Sequence, residues 1–348
     1  MTTIDKNQEN FNQNKSNIKI GINNISDQWF KAKIDRKILK ELSKRSDWPG
    51  WRHVITYFVS LSCLGLLCAY FWGSFWFIFF YLAYCTLWGG ADAIWHECGH
   101  RTAFKTRRLN DFFYYIASFL NNFEPVRWRW SHSLHHSYTA SIDPHDFEVE
   151  ESIFSKPTLL SFCLRFVPGL SFFKLHKSLH KEILQHALGI KTKVMKECIP
   201  KDKWAKCILV SRIYVFLWFL IIFISIYLNS LLLIFLFLIP KCFATINATW
   251  GLTQHMGLRE DINDHRKSTR SIRLNPIFSF IYWKMEYHIE HHMFPMVPSY
   301  NLPKLHEFIK DQLPKPQTLL EAYKEIIPAV IKKSKDPSYY IPVKIPLS

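Results

Sequence analysis

Glu286-Tyr287-His288-Ile289-Glu290-His291-His292-Met293-Phe294-Pro295 puts three imidazoles into ten residues. On a helix, residues three and four apart are neighbours, so His288 shares a face with His291 and His292, while the adjacent pair diverges by one residue's rotation. Such an H-x-x-H-H box can serve two nearby metal ions. The same spelling recurs at His132-Ser133-Leu134-His135-His136, and His96-Glu97-Cys98-Gly99-His100 adds two imidazoles at i and i+4. A lone histidine is usually a satisfied core or surface residue. Eight in three boxes point to an oligonuclear metal site, and ligation by nitrogen without thiolates suits iron, zinc, copper or manganese.

The sequence around the boxes reads as a membrane protein. The chain is 49% hydrophobic and 16% aromatic, yet carries 44 Lys and Arg against 28 Asp and Glu. Apolar runs alternate with basic ones, the pattern of an integral protein with a charged face toward anionic lipid. The net charge of +16 could suggest nucleic-acid binding, but the basic residues form no recognition module and flank apolar segments instead. Five of eight cysteines, Cys63, Cys68, Cys85, Cys207 and Cys242, lie in those segments, and no C-x-x-C pair occurs. A zinc ribbon or a disulfide framework is therefore not indicated.

Residues 1–26 read as a disordered polar tail, and 28–46 as an amphipathic interfacial helix ended by Pro49. Four apolar spans are expected at about 54–72, 75–95, 207–228 and 231–250, paired into two hairpins by the uncharged turns Gly73-Ser74 and Asn229-Ser230. Pro240-Lys241 interrupts the last span, and an intramembrane lysine is either functional or snorkelling. His96 and His100 then sit at a membrane exit, with Asp92 one turn before His96 as a hydrogen-bond acceptor behind the ligands. Segment 110–121 is too short to cross and reads as interfacial. The turn Asp143-Pro144-His145-Asp146 could bring carboxylates near the metals. His176 and His180 look like a fourth pair, but lie among lysines and read as a surface helix. Residues 302–313 and 318–333 read as amphipathic helices, the second with a capping box at Thr318 and Glu321, and a histidine-box membrane domain at 27–310 followed by a helix and tail at 311–348 is the expected organisation.

Two tight hairpins return the chain to one side each time. All three boxes, both termini and His255, which follows the fourth span, then share one face, and the positive-inside rule makes that face cytosolic. The expected fold is an all-α integral membrane protein of four spans with a cytosolic helical cap carrying a histidine-rich di-metal site.

H-E-C-G-H, W-R-W-S-H-S-L-H-H and E-Y-H-I-E-H-H-M-F-P resemble, as a set, the three histidine boxes of the membrane fatty acid desaturase superfamily, over about residues 48–306. The resemblance implies two non-haem irons that use O2 to remove hydrogens from an acyl chain of a membrane lipid or activated carrier. It implies as ligands His96, His100, His132, His135, His136, His288, His291 and His292, with His255 matching an extra histidine between the last span and the third box. Asp92 and Asp143 are candidates for the surrounding shell. Front-end desaturases commonly carry a fused cytochrome b5 domain and a Gln opening the third box; here His288 opens it and no H-P-G-G occurs. A separate donor, ferredoxin or cytochrome b5, is therefore expected on the basic face. A hydroxylase or ketolase of the same superfamily uses similar boxes. A metal transporter would instead place polar residues at the bilayer midplane.

Overall fold

A computed structural model describes residues 29–142, 144–148, 159–170 and 177–346. The tail expected at 1–26, Asp143 and His176 lie outside the described residues. The described chain is almost wholly helical, and its one strand pairing is a two-residue parallel bridge between Ile272–Arg273 and Gln317–Thr318.

The first apolar hairpin forms as expected but begins earlier. Helix α1, Arg36–Leu42, is capped by the Asp35 carboxylate, which accepts from the backbone of Lys37 and Ile38. Helix α2, Asp47–Tyr70, contains Pro49 in its first turn. Pro49 was expected to end a helix, and instead helps start one, because a first-turn proline lacks only an N–H that would have had no partner there. Gly50 follows for a steric reason: a Cβ there would lie 2.6 Å from the Ala103 carbonyl oxygen, so glycine lets α2 press against the loop after the first box. The stretch before α1 is not helical. Trp29 stacks on His265 at 4.1 Å, and Arg266 lies over the Phe30 ring at 3.2 Å. These contacts strap the segment onto the region of the third box, where periodicity alone placed it at an interface.

Helix α3, Phe75–Gly89, runs into α4, Ala91–His100. Arg101 adopts a left-handed conformation (φ 59°) and stops α4 immediately after the second histidine. Helix α5, Arg107–Asn121, and helix α6, Pro125–Ser137, follow. Glu124 caps α6, accepting from the backbone of Val126 (3.1 Å) and Arg127 (2.6 Å). Further helices are α7, Lys177–Ala187, and α8, Trp204–Tyr227. His180, rejected as a ligand from its lysine-rich setting, packs against Trp218 at 4.9 Å.

Among the described residues, three stretches are long and apolar enough to cross a membrane: Asp47–Tyr70, Phe75–His100 and Lys201–Tyr227. The fourth expected span is not one helix. It is divided into α9, Leu232–Phe237, α10, Pro240–Phe243, and α11, Thr245–Gly251. Pro240 has no N–H and its ring excludes the carbonyl four residues back, that of Leu236. Tyr84 of α3 donates its hydroxyl to that same carbonyl at 2.8 Å, so a neighbouring helix satisfies the group the proline releases.

The third box lies on α12, His288–Met293, followed by α13, Leu302–Ile309, and α14, Leu319–Lys335. Thr318 and Glu321 form the expected capping box on α14, and residues 336–346 contain no helix or strand. One large core runs from the hairpin helices through Ile289, Met293 and Leu305 to Ile326 and Val330. The C-terminal helices therefore close over the box helices.

Candidate metal centre

All nine histidines singled out from the sequence converge. Their nitrogens form two groups, each with all ligand atoms within 4.8 Å of one another: His96, His100, His132, His136 and His291 in the first, and His135, His255, His288 and His292 in the second. The division follows helix geometry. His132 and His136, or His288 and His292, are one turn apart and stay together, while the third member of each H-x-x-H-H box, His135 or His291, swings to the other group. The groups are neighbours, with the His136 and His292 rings 4.4 Å apart.

In the first group, Nε2 atoms face Nε2 atoms: His96 and His291 at 2.7 Å, His100 and His132 at 2.9 Å, His136 and His291 at 3.2 Å. His132 donates its Nδ1 proton to Glu148 at 2.8 Å. The Nδ1 atoms of His136 and His291 are buried without a hydrogen-bond partner.

The second group is held from behind at more points. His135 donates from Nδ1 to Asp146 at 2.8 Å, and His255 from Nδ1 to the Ser268 carbonyl at 2.9 Å. Thr139 donates its hydroxyl to the His135 carbonyl (2.7 Å), which leaves its lone pair to accept from His292 Nδ1 at 3.1 Å. His288 Nδ1 meets the Gln254 amide at 3.3 Å. With their protons committed outward, His255 and His292 turn Nε2 lone pairs inward, 3.2 and 3.1 Å from His288 Nε2. Converging lone pairs repel, and a single ring proton can satisfy only one of them. A cation between them resolves the geometry, so the donor set fits a metal ion in each group.

Electrostatics agree. Burial, and then the neighbouring imidazoles, hold His136, His288, His291 and His292 well below the usual imidazole range, and His255 at about 3. These rings are neutral at pH 7, the form that ligates metals. His135 is the exception: burial pulls it down, but the charge and hydrogen bond of Asp146 outweigh burial and raise it. Behind a bound metal the same carboxylate would make His135 a stronger donor.

The acidic turn supplies its fourth residue, Asp146; Asp143 lies outside the described residues. Asp92 does not do what its position one turn from His96 suggested: among the described residues it hydrogen-bonds no histidine, and it lines the cavity beside the groups. Glu148, Thr139 and Gln254 escaped sequence reasoning, because nothing in their spacing marks them. Two more histidines were overlooked. His265 lies 5.2 Å from His292, ring to ring, and burial lowers it to about 3. His306 pairs with Glu290, whose other oxygen accepts from Ser271 at 2.7 Å; Ser271 also accepts from the backbone of Ile289 (3.0 Å), which fixes α12. A further trio, Glu124, His186 and Cys207, has ligand-like spacing, but its members are committed to one another and to the cap of α6: the thiol donates to Glu124 at 3.1 Å.

A cavity of about 300 Å³ reaches His135 and His255, with Phe123, Trp128, Phe147, Leu179 and Leu252 among its walls. A smaller one shares Asp92, Phe123, Trp128, His135, Glu148 and Gln254 with it and touches His96 and His288. The two together give a mostly apolar space that touches both histidine groups.

Apolar hairpin helices with three histidine boxes converging on paired donor groups define a membrane-type histidine-box protein. Residues 70–323 match the fatty acid desaturase family, and the chain belongs to it. Over 115 residues it is 29% identical to an acyl-CoA C20 Delta5-desaturase of Anemone leveillei, covering 31% of this chain and 37% of that one. Over 50 residues it is 34% identical to a fatty acid desaturase of Bacillus subtilis (strain 168), covering 14% of each. The chain thus spans well under half the length of either relative.

Proposed function

We propose that the protein desaturates a fatty acyl chain in a membrane lipid or activated carrier, using two iron ions, O2 and electrons from a separate protein. The observation that carries this reading is the division of nine histidines into two adjacent groups beside an apolar cavity. In it, His96, His100, His132, His136 and His291 hold one iron, and His135, His255, His288 and His292 the other. Bound iron would supply the oxidising power that an unactivated methylene requires, since the C–H bond offers no acid or base handle. The remaining work falls to the protein. Asp146, Glu148, Thr139 and the Ser268 carbonyl fix the ring orientations, Phe123 and Trp128 exclude water, and the cavity holds one methylene beside the site.

The donor would dock close to the first group. Arg101, Arg107, Arg129, Lys203, Lys206 and Trp130 line a surface groove; Arg101 directly follows His100, and Arg129 lies one helical turn before His132. Asp111 binds both arginines, at 3.2 and 3.0 Å, and leaves the groove basic. An acidic ferredoxin or cytochrome b5 suits it by charge. With the first two candidate spans closed into a hairpin, and the third turned back through the uncharged Asn229-Ser230 turn into the broken fourth segment, the basic face and the metal centre are on the cytosolic side.

Expression in a host that makes only saturated and monounsaturated acyl chains should yield a new alkene, dependent on O2 and abolished by His288→Ala. Mapping the double bond by mass spectrometry reads the outcome. A hydroxy or keto lipid as the only new product overturns desaturation in favour of oxygen insertion on the same site.

A further inference from the structure

Lys241 is the charge in the broken fourth segment, and its surroundings single it out. It is half-buried and lines the same cavity as His135 and His255. Its Nζ donates to Asn121 Oδ1 at 2.6 Å. Asn121 is itself buried and oriented by its Nδ2, which donates to the Ala117 carbonyl at 2.9 Å, so the acceptor toward Lys241 is built in. No carboxylate lies within ion-pair distance of Lys241 among the described residues.

The other cavity charges differ. Arg127 pairs with Glu182 at 2.9 Å, and Glu148 with His132 at 2.8 Å. Arg165 also lines the larger cavity. Asp92 lines both cavities, whereas Lys241 and Arg165 line only the larger one. The two cations therefore stand away from the smaller cavity, which touches His96 and His288. Asn247 also lines the larger cavity, but its buried, unpartnered Oδ1 is an acceptor and offers nothing to an anion. Gly89 makes room for Asn247, since a Cβ there would lie 2.2 Å from the amide.

A cation held on a neutral acceptor in a low-dielectric wall is stabilised by any anion that reaches it. We propose that Lys241, held by Asn121, forms an anion subsite that takes the carboxylate or phosphate end of the acyl substrate. This rests on the acyl-chain reading of the cavity and deepens it: with the anionic end anchored there, the methylene at the histidine groups is counted from the head of the chain.

The test is binding of palmitate, palmityl phosphate and palmityl alcohol to the purified full-length protein in non-ionic detergent. The wild type should favour the anions over the alcohol by about tenfold or more, the worth of one charge-assisted hydrogen bond. K241Q should bring the ratio close to one, and K241R should keep it. The alcohol affinity shows whether a variant is folded, and K241M, with an apolar stem of similar length, reads the same ratio where K241Q does not fold. Preference for the phosphate over the carboxylate assigns the subsite to a lipid headgroup, and the reverse to a free acid; both support it. Equal affinity for anion and alcohol in the wild type, or an unchanged ratio in K241Q and K241M, overturns it. These ratios need no turnover, so a protein that makes no alkene yet shows the lysine-dependent ratio loses the desaturase reading alone.

Discussion

The two histidine groups are built from the same boxes but supported differently. In the second, Asp146, the Ser268 carbonyl and Thr139 each accept from an Nδ1 atom. In the first, Glu148 holds His132, while His136 and His291 have Nδ1 atoms without partners. Partners behind a ligand fix its tautomer and orientation and strengthen metal binding. The second group should therefore hold its ion more tightly, and the first should exchange more readily. The more exposed basic groove lies beside the first group, so the more labile ion is also the one nearer the proposed donor.

The sharpest way to break this comparison uses neighbours in sequence. His291→Ala and His292→Ala should each lower iron from about two per chain toward about one and cut activity by at least about a hundredfold. They should empty different groups, giving different residual iron spectra. Identical spectra would mean that the boxes do not divide as the geometry has them. Next in size is Asp146→Asn, expected to weaken iron at the second group by about 10- to 100-fold in chelator competition. Glu148→Gln should act on the first group by a smaller factor, since it supports one ligand of five; an effect larger than that of Asp146→Asn would reverse the ranking of the two groups. The smallest expected effect is away from both. Thr318→Ala removes the cap of α14 and should cost about 1 kcal/mol of stability, seen as a lower thermal midpoint with iron content unchanged. Iron loss in that variant would show that the covering helices, and not the ligand shell, control retention.

Much of the site was legible because ligand chemistry is local. H-x-x-H-H and H-x-x-x-H specify imidazoles on one helical face whatever surrounds them, and all nine residues converge as their spelling suggested. The capping box at Thr318 was legible for the same reason. Expectations failed where a distant partner decided. Pro49 starts α2 because its first-turn position costs no hydrogen bond; the interruption at Pro240 was legible, but not that Tyr84 takes the Leu236 carbonyl, 152 residues away in sequence from it. Asp92 has the right spacing from His96 but faces the cavity.

By itself the sequence determined the apolar hairpin helices and the number and type of metal donors, since hydropathy and imidazole spacing act over one or two turns. Only the tertiary structure decided which histidine joins which group, which carboxylates stand behind them, and that Lys241 faces a cavity instead of lipid. Those outcomes depend on how helices far apart in the chain are rotated against one another, and a periodicity of 3.6 residues carries no information about the neighbour it will meet.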